Sequence, residues 1–210
     1  MSSNRGSFIA FEGIDGSGKG TQINRLLGYL HESHCPVFHT MEPNDSPIGQ
    51  LIHQIMIGRI DMAPDAIAAL FVADRLDHIE NETNGILLFI NRGINVISDR
   101  YYFSSYAYQS VDVPMEWIID ANRLASKLLR PDLTIFIDVD PEIAMQRIEK
   151  DRMTKELFES KDRLKATRKR YFEAFDKLRY QENIVVINGN QPIDDVQKDI
   201  RKVVLPYLGE

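Results

Sequence analysis

The hydrophobic positions along the chain follow two alternating patterns. Short apolar runs without a polar face are typical of strands in a parallel sheet covered on both sides. Between these runs, apolar residues recur at helical spacing, as at Ile23, Leu26, Leu27 and Leu30. Strands are predicted over 8–11, 36–40, 95–99, 133–138 and 184–187. Further helices are predicted over 48–56, 64–81, 85–92, 114–129, 141–151, 161–180 and 192–208.

This alternation predicts an α/β fold: a five-stranded parallel sheet with helices on both faces and right-handed crossovers. Ligands of such folds bind at the carboxyl ends of the strands. The sequence has no repeat, low-complexity tract or flexible linker. We therefore expect a single domain over residues 1–210, with a short charged connection at 152–159.

Composition narrows the class of protein. The 210-residue chain has a net charge of −6, which argues against nonspecific nucleic-acid binding. No apolar run reaches about eighteen residues, and the first six residues are too polar for a signal peptide, so we expect a cytoplasmic protein without membrane contact. The single cysteine, Cys35, excludes an internal disulfide, and the five histidines lack the companions of a zinc site.

The charge is unevenly distributed. Residues 147–179 contain twelve Lys and Arg against seven Asp and Glu. A basic segment on an acidic protein indicates a local phosphate contact. The alternative is a solvated helix with ion pairs between neighbouring turns.

A glycine-rich segment joins the first strand to the first helix. Such a turn directs backbone N–H groups, the helix dipole and one ammonium towards a polyphosphate. A turn that is rich in glycine for packing alone is the alternative. The usual hydroxyl residue after the lysine is replaced by glycine, and a threonine follows one position later. The candidate phosphate contacts are Gly13, Ile14, Asp15, Gly16, Ser17, Gly18, Lys19, Gly20 and Thr21.

A second cluster follows the third strand. Asp99 is expected to face metal-bound phosphates beside the glycine loop, and Arg100 has the fork geometry to hold a second phosphate. A structural Asp–Arg pair with aromatic packing is the alternative. Neutral donors and acceptors for a sugar or a base edge come from Ser104, Ser105, Tyr108 and Gln109.

Three smaller features complete the candidate site. Phe71 and Arg75 lie one turn apart on one face of a predicted helix, as a base-stacking ring and an edge donor would need. A core residue next to a surface residue has the same spacing. Glu42 and Pro43 follow the second strand, where Pro43 could wall an apolar pocket. Asp15 is repelled by phosphate unless it serves a hydroxyl or a metal.

Together these motifs resemble the thymidylate kinase family of bacteria and archaea over nearly the whole chain. Any one motif alone is weak evidence for this family, but five motifs in this order are specific to it. The resemblance implies a P-loop NTPase-type three-layer sandwich with a short lid at about 147–160, and a homodimer. The five segments that carry it are 11–19, 42–43, 71–75, 99–109 and 130–141, and the tail 188–192 with Val196 is also similar to the family's.

The resemblance also implies the reaction: transfer of a phosphoryl group from ATP to dTMP, with Mg²⁺, for dTTP synthesis. Lys19 and the loop N–H groups would hold the donor phosphates. Asp15 would accept a hydrogen bond from the 3′-hydroxyl of dTMP, and Arg100 would bind the acceptor phosphate. Phe71 would stack on thymine, and Arg75 would donate to its O4.

The resemblance implies further roles around these residues. Tyr108 would crowd the 2′ position and favour deoxyribose, while Gln109 and Ser105 would lie near the base edge. Glu42, Pro43 and Ser104 would complete the acceptor side. Asp99 and Thr21 are the expected magnesium ligands.

In this family a basic residue comes either from the glycine loop or from the lid. The loop position is Gly16, so the lid must supply the cation. Arg147 and Arg152 are the candidates, with Arg152 assigned to catalysis and Arg147 to ATP.

Alternatives to this reaction remain open. The chain could be another nucleotide or deoxynucleoside kinase. It could also be a family member that binds nucleotide without catalysis, because Gly20 and Met41 replace a hydroxyl residue and an arginine. A GTP-binding regulatory switch is disfavoured, since the sequence lacks the Asn-Lys-x-Asp motif.

Overall fold

The computed structural model describes residues 5–151 and 160–209. Its strands are β1 Phe8–Glu12, β2 Val37–Met41, β3 Asn95–Asp99, β4 Leu133–Asp138 and β5 Ile184–Asn188. They run parallel to each other in one sheet, in the order β2-β3-β1-β4-β5. The expected five-stranded parallel sheet of an α/β fold is therefore confirmed.

Helices connect and cover the strands. Two of them begin with a serine cap: the Oγ of Ser46 accepts from the N–H of Gly49, and the Oγ of Ser160 accepts from the N–H of Arg163. The helices are α1 Lys19–Glu32, α2 Pro47–Met56, α3 Pro64–Glu80, α4 Ile86–Asn91, α5 Tyr102–Tyr108, α6 Met115–Ala121, α7 Arg123–Leu128, α8 Pro141–Asp151, α9 Lys161–Leu178 and α10 Ile193–Leu208.

Burial of the central strands shows that the sheet is covered on both faces. All five residues of β1 are buried. Successive side chains of a strand point to opposite faces, so a strand buried throughout must be covered on both sides. Helices α1 and α10 pack on each other and on strands, whereas α4 packs on β3 and α3. Among the described residues, no helix is both long and apolar enough to cross a membrane.

The prediction of one helix over 114–129 is wrong. The chain instead forms α6 and α7, which meet at Asn122. The backbone of Asn122 has a ψ of 2°, and its buried side-chain amide donates to the carbonyl oxygen of Ile118 at 2.9 Å. Asparagine often interrupts helices through such local bonds. Apolar spacing does not reveal the break, because Ile118 and Ala125 are buried on either side of it.

Helix α5 is an element that the hydrophobic pattern does not predict. Every one of its seven residues is buried, so it has no polar face to produce a helical period. Four aromatic rings of this helix pack among themselves or against α9, for example Phe103 against Phe175 at 5.0 Å between centroids. The helix thereby positions the polar cluster that follows β3.

Candidate active site

A cavity of about 700 Å³ lies where β1, β2 and β3 end. The candidate residues that line it are Asp15, Gly16, Ser17, Gly18, Lys19, Gly20, Thr21, Glu42, Pro43, Phe71, Asp99, Arg100, Ser104, Tyr108, Gln109 and Arg147. Lining residues that have no role in the sequence analysis are Gln22, Met41, His53, Met56, Ile148, Gly189, Gln191, Ile193 and Val196.

Five candidate residues are not part of this lining. Ile14 is a fully buried core residue, and Gly13 meets the site through its carbonyl oxygen. Arg75 and Ser105 lie in a buried layer next to the cavity. Arg152 lies outside the described residues, as do residues 152–159 of the expected lid.

The glycine loop is shaped by backbone conformations that favour glycine. Gly16 and Gly18 have φ values of +74° and +88°. A Cβ atom on Gly16 would lie 2.3 Å from the carbonyl oxygen of Ala144 on α8. Position 16 therefore has no room for a side chain while α8 packs against it. Gly20 differs, because a Cβ there would meet no atom of the described residues within 4 Å.

Lys19 lies at the start of α1 and is buried between the loop and β3. Its Nζ donates to the carbonyl oxygen of Gly13 at 3.3 Å and lies 3.9 Å from Oδ1 of Asp99. Burial lowers the pKa of Lys19, and the charge of Arg100 lowers it further, against the opposing charges of Asp99 and Asp15. A desolvated ammonium of this kind is stabilised by an anion in the cavity.

Arg100 occupies the centre of the site in an unusual backbone conformation, with a φ of +74°. Its Nη1 donates to the carbonyl oxygen of Gly13 at 3.2 Å and to Oγ of Ser104 at 3.0 Å. Its Nη2 donates to Asp15 and to the Tyr108 hydroxyl. Burial opposes its charge, but Tyr108 and Asp15 raise the pKa of Arg100 well above the ordinary value. The guanidinium is therefore fixed and permanently charged.

Asp15 is held by two of the other candidate residues. The Tyr108 hydroxyl donates to Oδ2 of Asp15 at 2.9 Å, and Arg100 contacts Oδ1. The same hydroxyl accepts from the Asp15 N–H at 2.9 Å. The three side chains form one hydrogen-bonded cluster at the cavity wall.

Arg75 forms a buried ion pair with Glu42. Its side chain is 1% exposed, and its Nε and Nη2 donate to Oε2 of Glu42 at 2.8 and 2.6 Å. Its Nη1 donates to Ser105 and Asn122. Burial opposes the charge, but Glu42 offsets it and the pKa of Arg75 is raised. These bonds use four of the five guanidinium N–H groups, and the fifth is on Nη2.

Two residues that have no role in the sequence motifs, His78 and Asn122, hydrogen-bond to this ion pair. His78 contacts Oε1 of Glu42 through Nδ1 at 3.2 Å, and its Nε2 lies 2.7 Å from Oγ1 of Thr40. Asn122 accepts from Arg75. Neither residue stands in a recognisable local motif. Only the meeting of distant elements assigns them to the site.

The basic segment divides into two parts. Every Lys and Arg on α9 forms an ion pair: Lys161 and Lys165 with Glu142, Arg163 with Asp112, Arg168 with Asp138, Lys169 and Arg170 with Glu173, and Lys177 with Glu116. For this helix the ion-paired surface is favoured over a phosphate contact. Arg147 on α8 lines the cavity instead, where it donates to the carbonyl oxygens of Ser17 at 3.3 Å and Gly189 at 3.2 Å.

Magnesium suits the polar atoms at the floor of the cavity. Within the described part of the chain, no group of three His, Cys, Asp or Glu side chains could hold a metal. Mg²⁺ at phosphates needs only one or two carboxylates, since phosphate oxygens and waters complete its shell. Oδ1 of Asp99 is buried and has no hydrogen-bond donor among the described residues. Asp99 therefore fits the ion, whereas Thr21 is exposed at the rim.

Comparison with known proteins agrees with this geometry. The family model described as thymidylate kinase matches residues 11–200. A probable thymidylate kinase of Staphylothermus marinus is 37% identical over 209 residues, covering 99% of each chain. The thymidylate kinases of Symbiobacterium thermophilum and Clostridium novyi are 35% and 34% identical, covering 96% and 94% of this chain and 94% and 98% of their own. The chain therefore belongs to the thymidylate kinase family.

Proposed function

We propose that this protein transfers the terminal phosphoryl group of ATP to dTMP, giving ADP and dTDP. Family membership and the names of its relatives support this reaction. The observation that carries it is one cavity that joins the glycine loop and Lys19 to Phe71 and Arg100. A donor triphosphate and an acceptor monophosphate would meet there.

On the donor side, Lys19 and the loop N–H groups bind the ATP phosphates. The buried ammonium and the start of α1 support this role, since both favour negative charge. Arg147 binds ATP from α8, beside the glycine loop whose carbonyl oxygens it contacts. Asp99 would hold Mg²⁺, with Thr21 as a second candidate. The ion would neutralise charge on the phosphates when bound.

On the acceptor side, Phe71 stacks on thymine and Arg75 donates to its O4. Among the described residues, acceptors occupy four of the five N–H groups of Arg75, and the remaining one on Nη2 supports a single, directed bond. Glu42 and Ser105 orient the guanidinium behind the base. Cytosine presents an amino donor in place of O4, so Arg75 would face it unpaired and the site would reject it.

The sugar and phosphate of dTMP contact the Arg100 cluster. Arg100 binds the acceptor phosphate, Asp15 accepts from the 3′-hydroxyl, and Tyr108 crowds the 2′ position. Their mutual hydrogen bonds support this assignment, because they hold the three groups in place before the substrate arrives. Ser104, Gln109 and Pro43 complete the acceptor wall.

Phosphoryl transfer requires in-line positioning and cations more than covalent chemistry. The tight packing around Gly16 supports a lid as the source of the second cation. We assign that role to Arg152, in a lid at 147–160. The lid and the rest of residues 1–210 would form a single domain. Closure would exclude water from the transferring phosphoryl group.

A homodimer is part of the proposal. Helix α3 buries Ile67 and Ala68 in its own subunit, yet leaves Leu70 and Val72 on other sides half-buried. Partly exposed apolar residues of this kind on α3 and α4 suit a second copy of the chain. A monomer in sedimentation equilibrium would contradict this.

We also propose that the protein resides in the cytoplasm, and cell fractionation tests this location.

A coupled assay tests the reaction itself. The enzyme is supplied with ATP, Mg²⁺ and a panel of nucleoside monophosphates, and ADP release is measured. We expect dTMP to be the best acceptor and activity to disappear in Lys19→Ala. Strong activity on CMP or AMP with none on dTMP would overturn the assignment.

A further inference from the structure

Glu12 is a charged residue in the middle of the core. It ends β1, and its side chain is 0% exposed. Burial raises the pKa of Glu12, while hydrogen bonds from Ser104 and the charge of Arg100 act in the opposite direction. A buried carboxyl is costly unless its oxygens are fully hydrogen-bonded. The proposed reaction does not use it.

Both oxygens of Glu12 accept hydrogen bonds. Oε1 accepts from the backbone N–H groups of Tyr101 at 2.9 Å and Ser104 at 3.2 Å. Oε2 accepts from the Ser104 hydroxyl at 2.6 Å and the Tyr171 hydroxyl at 2.9 Å. Four donors around two oxygens match the ionised carboxylate, which only accepts.

The two backbone bonds cap α5 from another element. Tyr101 is the N-cap residue of α5 and makes no side-chain capping bond of its own. Glu12 takes over that task, because its Oε1 binds the N–H groups of the cap and of the third helical residue. The residue directly before the cap is Arg100, whose φ of +74° needs support from its surroundings.

The other oxygen reaches the Arg100 guanidinium through one intervening hydroxyl. Oγ of Ser104 accepts from Nη1 of Arg100 at 3.0 Å while it donates to Oε2 of Glu12. Tyr171 holds Oε2 from the side of α9 and lies 2.9 Å from the Ser104 hydroxyl. Glu12 is thus linked to Arg100 in two ways, through the neighbouring backbone N–H of Tyr101 and through the Ser104 hydroxyl.

We propose that Glu12 is a positioning residue for Arg100, and that Tyr171 supports it. The ionised carboxylate orients the Ser104 hydroxyl so that its lone pair faces Arg100. In Glu12→Gln the amide would donate to Ser104, so that this hydroxyl receives two donors. The bond from Nη1 of Arg100 to Ser104 would then weaken, while its bonds to Gly13, Asp15 and Tyr108 and the shape of the core are kept. The link to phosphate rests on the proposed function, in which Arg100 binds the acceptor phosphate.

The first test compares dTMP with thymidine, which lacks the phosphate. We expect Glu12→Gln to weaken dTMP binding about tenfold, the factor for one charge-assisted hydrogen bond, and to change thymidine binding by less than about twofold. Tyr171→Phe should show a smaller loss in the same direction. Tyr102→Phe is the matched control, because its buried hydroxyl also bonds a carboxylate, Glu182, away from the cavity.

Equal losses for dTMP and thymidine, or no loss for either, would overturn the positioning role. If wild-type enzyme bound dTMP no better than thymidine, the proposed function would fail instead. A second measurement remains decisive in that case: hydrogen exchange of the arginine side chains by ¹⁵N NMR, assigned with Arg100→Lys. We expect the N–H groups of the Arg100 side chain to exchange faster in Glu12→Gln than in wild type, and at the wild-type rate in Tyr102→Phe. Equal exchange rates in wild type and Glu12→Gln would refute the role of Glu12.

Discussion

Removing the charge of Glu42 should strongly destabilise the protein. In Glu42→Gln the Arg75 guanidinium stays buried at 1% exposure without its carboxylate. Loss of one partner from a buried ion pair costs about 3–5 kcal/mol, and the isosteric amide keeps part of the bonding, so we expect about 3 kcal/mol. At about 2–4 °C per kcal/mol for a chain of this size, the melting temperature should fall by about 6–12 °C.

The assay is urea unfolding followed by circular dichroism, with thermal unfolding as a second measurement. Asp194→Asn is the matched control, because the Arg25–Asp194 pair is exposed at 44% and 74%. It should change the unfolding free energy by less than about 0.5 kcal/mol. A cycle with Arg75→Met should give a coupling of about 1–3 kcal/mol between positions 42 and 75. A Glu42→Gln protein as stable as the control would refute the reasoning.

Three further predictions concern the glycine loop. Gly20→Ala should raise the unfolding free energy by about 0.5–1 kcal/mol, because it removes a helix glycine whose Cβ would meet none of the described residues within 4 Å. Lower stability in urea would contradict this. Gly16→Ala should lower the unfolding free energy by at least about 2 kcal/mol, because its Cβ would lie 2.3 Å from the carbonyl oxygen of Ala144 and the residue would have a φ of +74°. An unchanged unfolding free energy would show that α8 can move aside without cost. ATP binding should weaken as the pH rises through the lowered pKa of Lys19, hence below its ordinary value of 10.5, because the ammonium loses its charge there. In equilibrium titrations of ATP, Lys19→Arg should not show this loss of affinity at alkaline pH. A wild-type protein that loses ATP affinity only above pH 10.5 would contradict the assignment.

Local patterns in the sequence predict the loop, the strands and the cavity position well. The glycine loop and Lys19 are contiguous, so their geometry depends mainly on a single turn. Arg75 could be placed on a helix face but not in its environment. Its partners Glu42, Ser105 and Asn122 lie 33, 30 and 47 residues away, and no local pattern specifies such meetings.

The pattern of charged residues predicts the site less well than the pattern of apolar residues predicts the fold. The surplus of cations at 147–179 indicates a phosphate contact, yet on α9 each cation has a carboxylate beside it. Those carboxylates come mostly from other elements, such as Asp138 and Glu116. Buried charges are hard to predict for the same reason, as with Glu12, whose donors come from α5 and α9.

The contact between Gly16 and the Ala144 carbonyl also limits how such an enzyme can evolve. An arginine cannot enter the loop by one codon change in this protein, because its Cβ would overlap the backbone of α8. The helix would have to move first, and Arg147 would move with it, away from the carbonyl oxygens of Ser17 and Gly189. A change of cation source would therefore need several linked substitutions, with weakened intermediates between the two arrangements.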